Sequence, residues 1–217
     1  SILSTSSTVA DVVDALRETV RLVRGAYSVV FVMEIDGEPT LVAFRDPYGI
    51  RPLVVGKRDG AHCVASESVA LDALGFAHAG SLDPGEVVFF RAGQAPLRRE
   101  LLREQAAPCV FEAIYFSRPD SMDGDDTIYA RRLELGRSLA REFASRGLQA
   151  DRVIPVPDTS RPAAIAFGEE LGLPCREGFI KNRYSGRTFI MGTQAGRDSA
   201  LRLKLNTIRS EFEGQRV

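Results

Sequence analysis

The feature that most constrains the fold is a change of sequence pattern near residue 107. Before it, β-rich runs pair up around two dipeptides that signal hairpin turns, Asp36-Gly37 and Asp59-Gly60. After it, apolar runs alternate with loops and helical patterns in the order strand, loop, helix, which is typical of α/β folds. We therefore expect an α+β first part followed by an α/β second part.

Further elements can be predicted in the first part. Apolar residues recur at three- and four-residue steps from about Thr8 to Arg24, which predicts a helix. A short helix is expected from Ser68 to Leu74. A strand in the run GEVVFFRAG, residues 85–93, would complete an antiparallel meander. The polar, irregular stretch from Ala92 to Pro108 suits a linker or an excursion at a domain edge.

In the second part, the apolar run CVFEAIYF at residues 109–116 is interpreted as a strand. Residues 128–147 have a helical pattern with their larger apolar side chains mostly on one side. The β-branched run from Val153 to Val156 predicts another strand, which breaks at Pro157.

A helix start follows this last strand. Asp158, Thr159 or Ser160 can serve as N-cap, Pro162 fits the first turn, and Gly172 is a stop signal. A phosphate or pyrophosphate placed there would meet backbone N–H groups and the positive end of the helix dipole. The plainer alternative is an ordinary capped helix with no ligand.

The run GFIKNRYSGRTFI, residues 178–190, places Lys181, Arg183 and Arg187 within seven residues. These cations repel one another unless an anion or solvent lies among them, and Gly178 and Gly186 allow hinging or close approach to a ligand. The run is interpreted as a mobile loop that grips an anion, the alternative being a solvated basic loop.

Composition limits the classes of partner. With 28 Lys plus Arg against 29 Asp plus Glu, the net charge of −1 provides no general attraction for nucleic acid or membrane. No apolar run approaches the about 20 residues that span a bilayer, and no leader pattern is seen, so we expect a cytoplasmic chain. The three cysteines, Cys63, Cys109 and Cys175, lack metal-ligand spacing and are expected to be reduced core residues. Neither histidine is assigned a catalytic role.

Seven motifs, in order along the chain, carry a resemblance to a known family. They are GAYSVVFV (25–32), RDPYGIRPL (45–53), VASES (64–68), LDPGEVV (82–88), FEAIYFSRPDS (111–121), IPVPDTSRPAA (154–164) and GFIKNRYSGRTFI (178–190). Together they resemble amidophosphoribosyltransferase, the glutamine-dependent phosphoribosyl pyrophosphate amidotransferase of purine synthesis. The resemblance runs through nearly the whole chain.

This resemblance implies two partial domains. Residues 1–106 would be the later part of an N-terminal-nucleophile (Ntn) glutaminase sandwich, and residues 107–217 the first part of a type I phosphoribosyltransferase domain. In the family, ammonia released from glutamine displaces pyrophosphate from phosphoribosyl pyrophosphate, giving 5-phosphoribosylamine. The family's flexible loop, matching Gly178 to about Asn206, closes over the sugar diphosphate and helps to form an ammonia channel.

Site residues follow from the motif match. Lys181 and Arg187 are the expected leaving-group or lid contacts, and Tyr184 a lid or channel residue. Thr159 matches the family's magnesium and diphosphate position, with Asp158 and Ser160 beside it in the loop that would bind phosphoribosyl pyrophosphate. RDPYGIRPL is interpreted as a structural turn with an internal ion pair.

The resemblance also has departures. A mature family member begins with a nucleophilic cysteine, whereas this chain begins Ser1-Ile2-Leu3, which resembles an internal segment of the family, and Ser6-Ser7 continues directly to Thr8 without the family's Asp-Thr-Glu. The family's Asp-Asp sugar-binding pair would follow the final GQRV. We therefore expect these 217 residues alone to have neither activity, and either to be prone to aggregation or to need a partner. Some members bind an iron–sulfur cluster, and Cys109 falls at one ligand position, but the other ligands are not visible, so no cluster is expected.

Three functional hypotheses remain at this stage. The favoured one is a piece of a genuine amidophosphoribosyltransferase, which in the family is inhibited by purine nucleotides and is expected to form a homo-oligomer. The second is a non-catalytic fragment that binds phosphate or purine nucleotides as a regulator. The third is another phosphoribosyltransferase with an unrelated front domain, which the glutaminase motifs of the first half disfavour.

Overall fold

The computed structural model describes residues 7–182, 184 and 193–217. The chain divides into two compact units, Ser1–Thr127 and Ile128–Val217. The predicted mixture of helix and sheet is confirmed. The assignment of residues 1–106 and 107–217 to the two partial domains named above stays a prediction.

The first unit begins with helix α1, Val9–Leu22, as predicted. Thr8 is its N-cap and forms a reciprocal capping box with Asp11: the Asp11 N–H donates to Thr8 Oγ1 (3.3 Å), and the Thr8 N–H donates to Asp11 Oδ2 (2.8 Å). The side chains on its inner face are buried: Val12, Val13, Leu16 and Val20.

A four-stranded antiparallel sheet follows, in the order β1-β2-β6-β7. Its strands are β1 (Ser28–Ile35), β2 (Glu38–Arg45), β6 (Glu86–Phe90) and β7 (Leu97–Glu100). Asp36 and Gly37 connect β1 to β2 with φ angles of 54° and 77°, the left-handed conformation that the predicted hairpin turn requires. Residues 97–100, expected to lie in a linker, therefore form an edge strand, because they pair with β6.

A second sheet has the order β4-β3-β5. It contains β3 (Val54–Arg58), β4 (Ala61–Ala65) and β5 (Ala77–Ser81), with helix α2, Ser68–Ala73, between β4 and β5. The Asp59-Gly60 hairpin is confirmed, with φ angles of 48° and 79°. The predicted antiparallel meander is wrong, because β6 pairs with β2. Strands β3 to β5 therefore form a separate sheet.

The core of the first unit has two layers, because alternate residues of a strand point to opposite faces. Val42, Phe44, Val87 and Phe89 lie in one cluster with the buried face of α1. The intervening residues of β2 and β6 lie in a second cluster with Leu53, Val55 and Leu82: Ala43, Val88 and Phe90. The first sheet is therefore covered by α1 on one face and by the second sheet on the other.

Residues 109–116 do not form the predicted strand. Glu112–Phe116 is a π-helical turn, and the large apolar side chains around it are exposed. The two-residue strands β8 (Met122–Asp123) and β9 (Asp126–Thr127) then form a short hairpin that completes the first unit. The high apolar content of this run did not indicate a buried strand, because its side chains lie at the surface.

The second unit opens with helix α3, Ile128–Ser145, which packs against helix α4, Arg161–Leu171. Of the apolar residues predicted on one side of α3, Ile128 is buried whereas Leu135 and Leu139 are exposed. The buried positions are spaced by four residues and include small side chains: Ile128, Arg132, Gly136 and Ala140. Small residues allow the backbone of α4 to approach α3 closely.

Gly136 provides a direct test of this packing. A β-carbon built on Gly136 would overlap the carbonyl of Ala163 in α4 and lie 2.9 Å from the Ala163 Cα. Gly136→Ala is therefore expected to destabilise the second unit by about 1–3 kcal/mol, although alanine has the higher helix propensity. Thermal unfolding followed by circular dichroism measures the change. Ser138→Ala, on the exposed side of α3, is the control, and a Gly136→Ala variant as stable as the parent would contradict the packing.

The remaining elements of the second unit are β10 (Phe179–Lys181), α5 (Gln194–Lys204), β11 (Leu205–Thr207) and a 3₁₀ turn at Arg209–Glu211. The strand predicted at Val153 to Val156 is reduced to one parallel bridge between Val153 and Cys175. Among the described residues, no helix is both long enough and apolar enough to span a membrane.

Candidate functional site

The candidate site is built on the loop that precedes α4. The bridge at Val153 fixes the start of this segment, with hydrogen bonds from the Val153 N–H to the Pro174 carbonyl and from the Arg176 N–H to the Val153 carbonyl, both 2.9 Å. The chain then passes through Pro157 and Asp158 into the helix. The loop is thereby held between the bridge and the first turn of α4.

The start and end of α4 are close to the prediction. Ser160 is the N-cap residue, and Pro162 lies in the first turn. The expected side-chain cap is wrong, however, because the Ser160 hydroxyl donates back to the Val156 carbonyl and not to the helix. Gly172 ends the helix in the left-handed conformation, with φ 66°.

Strand β10 brings Lys181 to this loop. The Lys181 Nζ lies 2.7 Å from Asp158 Oδ2, and the other oxygen of the same carboxylate lies 3.6 Å from Arg161 Nη2. Arg161 in turn forms an ion pair with Glu177. Four side chains therefore form a chain of alternating charge: Lys181, Asp158, Arg161 and Glu177.

Three of these charged residues line a cavity of about 480 Å³. Phe179 and Ile180 complete the lining, and Thr159 is half-buried beside Asp158 in the loop. A cavity with an ammonium and a guanidinium at its wall can contact an anionic ligand through charge-assisted hydrogen bonds.

A two-stranded ribbon closes the base of the basic loop. β10 pairs with β11, and the Asn182 N–H donates to the Lys204 carbonyl at 2.8 Å. The rings of Phe179 and Phe212 pack edge to face, with centroids 5.2 Å apart. The segment between Lys181 and Leu205 thus leaves from and returns to one fixed place beside the cavity.

Gly178 was predicted to allow hinging or close approach to a ligand. In the structure, neighbouring side chains leave no room for a β-carbon at this position. A β-carbon at Gly178 would lie 2.8 Å from Ile154 Cδ1 and 2.9 Å from Phe212 Cζ. Both contacts are closer than van der Waals distance, so a larger residue there would push β10 away from its neighbours. Glycine at this position therefore sets the position of β10 relative to the loop that contains Asp158.

The predicted site residues are placed as follows. Asp158 and Lys181 contact each other, and Thr159 and Ser160 are their neighbours in the same loop. Tyr184 is fully exposed. Arg187, like Arg183 and Gly186, lies outside the described residues. The roles of these residues in binding or catalysis stay predictions.

Arg161 and Glu177 belong to the site but were missed by the sequence analysis. Arg161 lies three residues after Asp158, a spacing that places their side chains on one side of the helix start. That signal was available from the sequence. The pairing with Glu177, sixteen residues further along, depends on the return of the chain through the Cys175 bridge and was not predictable.

The described residues provide no cluster of side chains suited to binding a metal ion. In residues 7–182, 184 and 193–217, no group of three or more His, Cys, Asp or Glu side chains is arranged to hold a metal ion. Burial raises the pKa of the Cys175 thiol, with a further increase from the Glu177 charge. Cys109 is partly buried in the first unit. The expectation that no iron–sulfur cluster is bound stays a prediction.

The RDPYGIRPL motif of the first unit is a structural turn. Asp46 is completely buried and accepts hydrogen bonds from the backbone N–H groups of Tyr48, Ile50 and Arg51, at 3.1–3.2 Å. The guanidinium of Arg45 donates to three carbonyl oxygens, so the expected internal ion pair is wrong. The charges of Arg45 and Asp46 are satisfied by backbone groups, whereas Arg51 forms an ion pair with Glu112 outside the motif.

The chain is similar to one protein family and to several curated proteins. A family model described as a glutamine amidotransferase domain matches residues 4–73. Two similar curated proteins are the amidophosphoribosyltransferases of Methanothermobacter thermautotrophicus, 44% identical over 89% of this chain and 39% of that protein, and of Escherichia coli, 44% identical over 94% of this chain and 41% of that protein.

Solved structures show the same likeness. The glutamine phosphoribosylpyrophosphate amidotransferase from B. subtilis, complexed with ADP and GMP, matches with a TM-score of 0.77 at 36% identity, covering 94% of this chain and 43% of that one. A structure described as the allosteric regulatory enzyme of purine biosynthesis matches with a TM-score of 0.79 at 36% identity, covering 94% and 42%. The chain spans about two fifths of the length of these relatives.

Proposed function

Because the chain belongs to the amidophosphoribosyltransferase family over the two fifths of the family's length that it spans, we propose that it forms part of an enzyme that transfers glutamine-derived ammonia to phosphoribosyl pyrophosphate. In this reaction the bond from C1 of the sugar to the diphosphate oxygen breaks and a bond from C1 to nitrogen forms. The ammonia comes from glutamine, whose amide C–N bond is hydrolysed by water to give glutamate. After its attack on C1 the nitrogen loses a proton, and the products are 5-phosphoribosylamine, pyrophosphate and glutamate. This is the first committed step of purine synthesis.

The observation that supports the transferase half is the cavity beside Asp158. Breaking the bond at C1 places negative charge on a departing pyrophosphate, which cationic side chains stabilise best where water is limited. Lys181 lies at the wall of this cavity, and the hydroxyl-bearing residues Thr159 and Ser160 are in the adjoining loop. We assign the diphosphate to this cavity, with Lys181 as its main cationic contact.

The segment between Lys181 and Leu205 is proposed as the lid of the site. Both of its ends are fixed beside the cavity by the pairing of β10 with β11. Tyr184 is fully exposed at the start of the loop, where a lid residue can reach a ligand that enters from solvent. Arg187 is proposed as a second cationic contact on the strength of its sequence position alone.

Magnesium is proposed as the ion that accompanies the diphosphate. Mg²⁺ in proteins is usually held by one or two carboxylates together with substrate phosphates and water. Thr159 offers a hydroxyl oxygen beside a single loop carboxylate, so the donor set suits an ion held mainly by the diphosphate. When bound, the ion would neutralise charge on the leaving group.

The remaining assignments are also proposals. Residues 1–106 are assigned to the glutaminase domain and residues 107–217 to the transferase domain. Purine nucleotides are proposed as inhibitors, since the B. subtilis relative was solved with ADP and GMP. A cytoplasmic homo-oligomer is proposed for the complete enzyme. The 217 residues alone are proposed to be inactive, since the relatives are more than twice as long.

The function is tested with the longest natural polypeptide that contains these residues. With phosphoribosyl pyrophosphate and ¹⁵N-amide glutamine, we expect pyrophosphate and glutamate to be released in equal amounts and ¹⁵N to enter the product. Ammonium chloride in place of glutamine tests the transferase half separately. Failure to release pyrophosphate with either nitrogen donor would contradict the proposed function.

A further inference from the structure

The four charges at the cavity are arranged so that each cation already has an anionic partner. Lys181 contacts Asp158 at 2.7 Å, and Arg161 contacts both Asp158 and Glu177. The formal charges of the two cations and two carboxylates sum to zero. Among these four described side chains the charges therefore cancel, and Lys181 can bind an incoming diphosphate fully only by leaving Asp158.

The two cations differ in how firmly they are held. Arg161 lies on the first turn of α4 and has two carboxylate partners, one of them Glu177. Lys181 is a flexible ammonium on a four-carbon stem, and among the described residues it forms an ion pair with Asp158 alone. Since the backbone of Lys181 is paired with Leu205 in the ribbon, its ammonium can swing while the main chain stays in place.

Moving the ammonium of Lys181 from Asp158 to a diphosphate costs little free energy. The side chain of Lys181 is 34% exposed and that of Asp158 is 58% exposed, and ion pairs with this much solvent contact contribute little to stability. Hydrogen bonds between an ammonium and phosphate oxygens are among the stronger polar contacts. A diphosphate can therefore compete with Asp158 for Lys181.

We propose that Asp158 is a positioning residue that holds Lys181 in the empty site and releases it to the ligand. When a diphosphate binds, the ammonium of Lys181 moves to the phosphate oxygens, while Asp158 keeps Arg161 as its partner. This inference rests on the proposed function, because it takes the ligand of the cavity to be a diphosphate. It separates Asp158, which acts through Lys181, from the residues that contact the ligand.

The test is titration calorimetry of the full-length protein with inorganic pyrophosphate in magnesium-free buffer. Four proteins form a cycle: the parent, Asp158→Asn, Lys181→Gln and the double variant. Asp158→Asn is expected to tighten binding about two- to fivefold, the range set by a partly exposed ion pair. Lys181→Gln is expected to weaken binding, and in that background Asp158→Asn should have little further effect. Asp151→Asn, which removes a carboxylate paired with Arg216 and away from the cavity, is the matched control.

Three results of this titration would overturn the inference. If Asp158→Asn weakens binding, Asp158 contacts the ligand and the inference is overturned. If the tightening is as large without Lys181 as with it, Asp158 acts by general repulsion of the anion, which also overturns it. If the parent protein binds no pyrophosphate and releases none from phosphoribosyl pyrophosphate, the proposed function itself fails and the inference fails with it.

Discussion

Replacing Asp46 with alanine is expected to lower the free energy of unfolding of the first unit by about 3–5 kcal/mol, the cost of removing a buried carboxylate that accepts from three partly buried backbone N–H groups. Asp46 is completely buried, and its carboxylate accepts from three such groups within the turn that leads to Arg51. Alanine removes all three acceptor contacts.

Thermal unfolding followed by circular dichroism measures the global effect, and hydrogen exchange at residues 48–51 measures the local one. Both melting temperature and protection of these amides should fall together. Asp14→Ala is the matched control, because Asp14 is largely exposed on α1 and pairs with Arg17 in a surface ion pair. We expect that variant to change stability by less than about 0.5 kcal/mol. Equal effects of the two substitutions would contradict the role assigned to Asp46.

Lys181→Gln is expected to reduce kcat/KM for phosphoribosyl pyrophosphate by about 10- to 100-fold in the full-length enzyme. The lysine is the described cation at the cavity wall that is free to move to a leaving pyrophosphate, and a hydrogen bond to a charged group contributes about 1.5–3 kcal/mol. Glutamine preserves much of the stem but removes the charge. The same loss is expected with ammonium as nitrogen donor, since the defect lies in the transferase half.

Steady-state release of pyrophosphate, with glutamine and with ammonium in parallel, measures this effect. Lys57→Gln makes the same chemical change at an exposed position of β3 in the first unit and should leave the rate unchanged. Circular dichroism of both variants checks that the fold is retained. A Lys181→Gln enzyme with the activity of the parent would exclude Lys181 from the diphosphate site.

Elements whose conformation is set by neighbouring residues were predictable. Helix α1 follows from its apolar spacing and from the capping box of Thr8 and Asp11, which needs only residues three apart. The hairpins at Asp36-Gly37 and Asp59-Gly60 follow from turn residues that adopt positive φ. The loop that contains Asp158 and the basic run at Lys181 were predicted to belong to one site; the structure brings these two residues into contact, and their role in binding stays a prediction.

Other features depend on residues far apart in sequence. The pairing of β6 with β2 was missed because β6 is buried on both faces, which depends on the layers above and below it and not on its own pattern. The surface position of residues 110–116 was also missed, since apolar content alone cannot tell a buried strand from an exposed helical turn. At the site, Arg161 and Glu177 were missed, and the contact of Glu177 with Arg161 depends on the return of the chain at Cys175.

The sequence by itself determined the family, the local turns and caps, and the two segments that meet at the cavity. The tertiary structure decided which sheet each strand joins, which face of α3 is buried, and how the cations of the site are neutralised. The physical reason is that turn and cap conformations arise from hydrogen bonds within a few residues. Burial and ion pairing between distant segments depend instead on how whole layers pack, and a close approach such as that of Gly136 to Ala163 exists only once those layers are in place.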